Sequence, residues 1–395
     1  MKTNLNPTTT TQQPSESDAI FLGLAIFVYT FITSLSLLFL SFANEASGLE
    51  TGIHLDLTTL FKLWSFGGIA AGVLAYSWLD SISWQWVALG ASLLLIVCQV
   101  LASFAPNETS LLATYFIRGL AAGTLAVLCF VSAGLSQQKV RLFACAALGG
   151  LLAHIFFMVS AYLFAVIFST KISYWILTAL TFFSLPLMLA FPKARQVLPK
   201  KINSSTKTMR GLMLGIIAML VFSLATSLSN YTTNISLFSL KADSQLRWIN
   251  WVLIYSEVAK LLTIVSVIIL GNYLQSRLVI GISYSLLIIC FLSLASLNLL
   301  DINSISFFVI FAFLIQSTIL FLEPVISSSI ASLQASATFV NTLYLVGLIG
   351  LMLNSFLRDW LHGHDLAILI TIMIFLGVSL LAYLFSQTST QHDKD

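Results

Sequence analysis

The stretch that organises this chain is PKARQVLPKKINSSTKTMR, from Pro192 to Arg210. It holds six of the chain's 18 basic residues: Lys193, Arg195, Lys200, Lys201, Lys207 and Arg210. On either side the sequence becomes apolar for about 20 residues at a time, the length of a membrane-crossing helix. Six such runs precede the basic stretch, near 20–43, 59–79, 84–105, 109–135, 142–168 and 172–191. Six follow it, near 210–231, 248–270, 278–299, 304–325, 336–357 and 364–386. Strands would need only about 10 residues with alternating polarity, a pattern these runs lack. The expected fold class is an all-α polytopic membrane protein, with about 12 transmembrane helices in two six-helix halves.

Composition agrees. Of the 395 residues 58% are hydrophobic and 8% charged, where a soluble domain carries about 25% charged residues. The mean hydropathy is +0.97. No water-exposed surface can be built from so few polar groups. The first 19 residues are rich in Thr, Gln, Pro and Ser and read as a disordered tail. They do not resemble a secretory signal: Glu16 and Asp18 stand where a basic cluster would, and the apolar run after them is too long. The expected organisation is a tail (1–19), an N-terminal bundle (20–191), a basic loop (192–209), a C-terminal bundle (210–387) and a short tail (388–395). Cys98, Cys129, Cys145 and Cys290 lie in apolar runs without metal-ligand spacing and read as small packing residues.

Lys and Arg in the loops set the orientation. With the N-terminus in the cytoplasm, eleven fall in cytoplasmic segments, and Lys171, Lys241, Arg247 and Arg358 fall outside. Lys62, Arg118 and Lys260 lie within spans. Both termini, and the basic stretch 193–210, are therefore expected inside a cell (inner or plasma) membrane, with lipid headgroups as partners of the basic loops.

Two local motifs add to the six-plus-six layout. Span four carries Phe116-Ile117-Arg118-Gly119-Leu120-Ala121-Ala122-Gly123. Between spans two and three lies Asp80-Ser81-Ile82-Ser83-Trp84-Gln85, and between spans eight and nine Gly271-Asn272-Tyr273-Leu274-Gln275-Ser276-Arg277. Layout and motifs together resemble the major facilitator superfamily. The resemblance implies two halves rocking around a midplane site, a cavity lined by helices one, four, seven and ten, and loop gating by Asp80 and Arg277. The family's basic residues and glycine are missing after Asp80, and no acid precedes Arg277.

Ionisable groups at membrane depth are costly and are functional candidates by default. Arg118 lies near the middle of span four and needs a counter-charge, carbonyls or water. It is read as a cavity-facing contact for substrate or a member of a proton relay. Glu257 and Lys260 are three apart in span eight, on one helix face, close enough to pair. Glu257 is the expected proton carrier and Lys260 a substrate contact. His154, in span five, titrates in the range a relay uses. Lys62, near the outer end of span two, and Glu323, before Pro324 at the expected end of span ten, are gate candidates.

Polar stripes mark the expected wet wall. Tyr29, Thr33 and Ser36 run along span one, with Thr30 and Ser34 beside them. Ser223, Thr226, Ser227, Asn230 and Asn234 run along span seven, and Gln316 and Glu323 along span ten. Tyr29, Thr33, Asn230 and Gln316 are read as substrate contacts. Gly68-x-x-x-Gly72 and Gly119-x-x-x-Gly123 permit close helix packing. His362-Gly363-His364-Asp365 reads as a solvated loop; no metal and no cofactor are expected.

No phosphate-binding loop, carbonyl-lined filter or catalytic pair stands out. The expected function is secondary active transport, not enzymatic: a proton-coupled monomer exporting a small organic amphiphile or drug, with protons and the solute as its partners and no nucleic acid. The three in-span cations against two acids also suggest an organic-anion transporter. A transport-inactive receptor and a membrane-embedded lipid-carrier transferase are the other readings.

Overall fold

A computed structural model describes residues 16–51, 57–104, 108–164, 170–192, 206–243, 248–299, 305–361 and 365–391. Twelve α-helices fill these segments: α1 (Glu16–Thr51), α2 (Leu57–Trp78), α3 (Trp84–Ser103), α4 (Glu108–Leu135), α5 (Lys139–Phe164) and α6 (Thr170–Ser184), then α7 (Thr206–Asp243), α8 (Trp248–Leu270), α9 (Arg277–Leu299), α10 (Ile305–Ala331), α11 (Ala337–Leu361) and α12 (Asp365–Gln391). In lipid a backbone amide has no partner but its own helix, so each apolar run closes its hydrogen bonds internally. Ten of the helices are long and apolar enough to cross a membrane. The protein is an integral membrane protein.

Several helices differ from the expected spans. The α-helical part of α6 ends at Ser184 and tightens into a 3-10 turn, Leu185–Ala190, because Pro186 cannot donate to the preceding turn. Conversely α10 does not end near Pro324; it continues through that proline to Ala331. Helices α1 and α7 are 36 and 38 residues long, about 54 and 57 Å at 1.5 Å per residue. Both exceed the bilayer core of about 30 Å.

The packing repeats with an offset of six helices. In the first half α1 packs on α4, α5 and α6, α2 on α4, and α3 on α4 and α6. In the second half α7 packs on α10, α11 and α12, α8 on α10, and α9 on α10 and α12. The contacts between halves are also paired: α5 with α8 mirrors α11 with α2, and α5 with α10 mirrors α11 with α4. Two similar bundles are thus joined about a pseudo-twofold axis. The end of the bundle carrying the α2–α3, α4–α5, α8–α9 and α10–α11 connections is called the basic end below.

Glycines set the closest approach, between α2 and α4. A Cβ on Gly119 would strike the Trp64 backbone, and one on Gly67 would strike Phe116 and Leu120. Gly123 lies against the Cα of Gly68. Gly72 instead faces Leu345 and Tyr344 of α11, across the boundary between the halves. Gly68, whose own Cβ would meet Leu348 of α11, also lies at this boundary, so it serves both contacts.

Candidate functional site

Three candidates from two spans meet where α5 of the first half packs on α8 of the second. Lys260 Nζ donates to Glu257 Oε1 at 2.6 Å, one turn apart on α8. The two side chains are 15% and 25% exposed, so neither is free in water. Glu257 Oε2 is enclosed and has no hydrogen-bond partner among the described residues. From α5, half-buried His154 lies within electrostatic reach of both groups. A carboxylate with one oxygen on an ammonium and the other open, beside an imidazole, can take up and pass on a proton. These groups lie at the contact between the two halves.

Arg118 is placed differently from its expected position on a cavity wall. Its side chain is fully buried inside the first half. One Nη2 donates to Ser36 Oγ at 2.9 Å. The guanidinium lies 5.8, 5.6 and 5.1 Å from the ring centres of Trp64, Tyr115 and Tyr174. Cation–π attraction of this kind grows when water is excluded. The two tyrosine hydroxyls are 3.1 Å apart and close the cage. Arg118 Nε and Nη1 remain without hydrogen-bond partners among the described residues. Arg118 lies ten residues into α4, and the ring cage draws its side chain inward.

The span-one stripe also turns inward. Tyr29 is fully buried, donates to the Ser184 carbonyl at 3.2 Å and packs against Phe191. Ser36 is spent on Arg118, and Thr30 bonds its own helix where Gly149 of α5 presses against it. Thr33 is half-buried and donates to the Thr30 carbonyl at 3.2 Å. In α7, Ser223 is buried against Gly350. The side chains of Asn230 and Asn234, and the stretch His362-Gly363-His364 with the side chain of Asp365, lie outside the described residues.

On α10, Gln316 is buried, whereas Glu323 is solvent-accessible. Its neighbours on the same face of α10, Gln316, Ile319, Ile326, Ser327 and Ile330, are nonetheless buried. An accessible side chain on a buried helix face opens onto space inside the bundle; a lipid-facing one would share its face with exposed residues. No described cation or hydrogen-bond donor engages its carboxylate.

At the basic end the halves are closed. Asn341 of α11 donates to the Gly72 carbonyl of α2 at 2.8 Å, and the Tyr76 and Thr342 hydroxyls are 2.7 Å apart. Gly134 of α4 lies against Val340 of α11, and Lys139 Nζ donates to Ser332 Oγ at 3.2 Å. Gly271, with a φ of +54°, turns the chain after α8, and a Cβ there would meet the Arg141 side chain of α5. Arg141 therefore lies against the end of α8, where helix carbonyls favour a cation. Of the expected gate residues, Asp80 is exposed in the α2–α3 turn and Arg277 is half-buried; neither forms an ion pair in this closure. Lys62, further along α2, holds its ammonium 5.8 Å from the ring centre of Phe356 on α11.

The cage of Trp64, Tyr115 and Tyr174, the Asn341 contact and the Tyr76–Thr342 pair were not marked by the sequence reading. Their residues are ordinary in apolar helices, and only the fold brings them together. The proximity of His154 to Glu257 likewise needs the α5–α8 contact.

No family model matches the sequence, and no curated protein matches it. Solved structures do match in fold. FucP, a transporter of the major facilitator superfamily seen in the outward conformation, is 14% identical with a TM-score of 0.70, over 95% of this chain and 99% of that one. The proton:xylose symporter XylE, bound to a sugar analogue, is 12% identical with a TM-score of 0.66, over 94% and 96%. The human organic anion transporter MFSD10 (TETRAN) is 14% identical with a TM-score of 0.65, over 95% and 100%. At such identities the likeness speaks for the fold. With the six-helix repeat and the paired contacts between halves, it follows that this chain has the fold of major facilitator superfamily transporters.

Proposed function

We propose that the protein is a secondary active transporter that couples the movement of a small organic solute to protons by alternating access. The observation that carries this reading is the Glu257–Lys260 pair facing His154 across the α5–α8 contact. Protonation of Glu257 removes a charge from an interface that must part for the cavity to change sides, which links proton binding to conformation. The fold supports the reading, and FucP and XylE are both named as proton symporters. With the basic end in the cytoplasm, the closed basic end corresponds to a state shut on the inside.

Export is the working direction. Glu257→Gln removes the titrating group. In proteoliposomes this variant is expected to lose pH-gradient-driven accumulation and to keep solute exchange. Gradient-driven accumulation that survives unaltered in Glu257→Gln contradicts the role of this residue. Solute moving in the same direction as protons replaces export by symport.

A further inference from the structure

The three cations within the spans suggested an anionic solute, but each is engaged by other groups of the protein. Arg118 is enclosed by rings, Lys260 is bound to Glu257, and Lys62 lies over Phe356. An accessible group within the bundle that no described residue engages is an acid, Glu323. It is exposed on an otherwise buried face of α10, and no described residue neutralises it.

Aromatic side chains lie at a similar depth on two neighbouring helices. Glu323 lies eight residues from the basic end of α10, and Tyr344 seven from the basic end of α11, about 12 and 10 Å deep at 1.5 Å per residue. Phe130 of α4 lies slightly lower and packs its ring 5.7 Å from that of Tyr344. Helices α4, α10 and α11 touch one another pairwise. Tyr344 and Phe130 are both half-buried. The contacts of Asn341, Thr342 and Val340 lie within one turn of Tyr344 toward the basic end and form the floor below. A carboxylate and two aromatic rings at one level above a closed floor are the elements that recognise a desolvated organic cation.

We infer that the cavity binds an organic cation, an amine or quaternary ammonium with an apolar body, whose charge meets Glu323 above the closed basic end and whose body lies along Tyr344 and Phe130. The inference deepens the transporter reading by naming its solute class. Because α10 continues through Pro324, the helix has one hydrogen bond fewer just where the charge would bind. Occupancy of Glu323 thus acts next to the turn of α10 that lacks this bond.

The test uses the purified full-length protein with two probes of similar size, benzyltrimethylammonium and benzenesulfonate, read by tryptophan fluorescence. The cation is expected to bind saturably, and the sulfonate neither to bind nor to compete. Glu323→Gln should weaken the cation tenfold or more, and Glu323→Asp should restore part of the loss. Tyr344→Leu should weaken binding severalfold while Tyr344→Phe leaves it unchanged. Equal binding of the sulfonate, no saturable cation binding by the wild type, or undiminished binding by a folded Glu323→Gln overturns the assignment. Flux of labelled probe in proteoliposomes separates this inference from the reading it rests on. Cation binding through Glu323 without movement of any solute keeps the site and removes the transporter. Transport of other solutes, indifferent to Glu323→Gln, keeps the transporter and removes the cation site.

Discussion

Lys260 Nζ and Glu257 Oε1 stand 2.6 Å apart on one face of α8, opposite His154 of the other half. Removing one partner leaves a partly desolvated charge alone. An exposed pair is worth about 0–1 kcal/mol and breaking a buried one costs about 3–5. At 15% and 25% exposure the expected cost lies between these, about 1–3 kcal/mol. Glu257→Gln and Lys260→Met should each lower the thermal midpoint in detergent, and the double variant should recover most of the loss. Additive losses in the double variant would mean that the pair contributes no coupling energy.

Arg118 gives a prediction of the opposite kind. Its fully buried guanidinium is held by three rings and Ser36, so it acts on the fold of the first half and does not touch solute. Arg118→Lys should destabilise the protein, because a compact ammonium cannot lie flat against rings. Variants that fold should keep the wild-type KM. A raised KM with unchanged thermal stability would put Arg118 in the solute site after all.

The α2–α4 glycines set a steric limit. Gly119→Val should abolish recovery of folded protein, since even a Cβ there meets the Trp64 backbone. Gly90→Ala is the control: nothing lies within 4 Å of a Cβ at Gly90, and yield should not change. Normal yield for Gly119→Val, measured by size-exclusion chromatography, would contradict the close contact.

Much of the fold was legible because a run of about 20 apolar residues has one solution in lipid. The helix ends were less so. Pro186 shortens α6 as a proline is expected to, but Pro324 does not end α10, because the chain beyond it still packs inside the bundle as Ile326, Ser328 and Ile330. Position along a helix is readable from sequence; direction is not. A helix that is apolar all round has no polar face to say which way Arg118 or Tyr29 points. The ring cage and the α5–α8 contact settle those directions, and both depend on helices far apart in sequence.

The closure at the basic end is held by neutral groups. Asn341→Ala removes a hydrogen bond to the Gly72 carbonyl, worth about 1 kcal/mol, or roughly fivefold in a two-state equilibrium. Spin labels at Ser77→Cys and Gln334→Cys, on the two sides of this closure, should report a larger population of long distances in Asn341→Ala. An unchanged distance distribution would show that the contact does not hold the halves together.

The central claim is that solute movement is coupled to protons. The most direct measurement places the wild-type protein in liposomes enclosing a pH dye and imposes a solute gradient of benzyltrimethylammonium. The account predicts a proton flux that appears with the solute, saturates with its concentration and vanishes in Glu257→Gln. Saturable solute movement with no proton flux at any gradient would contradict it.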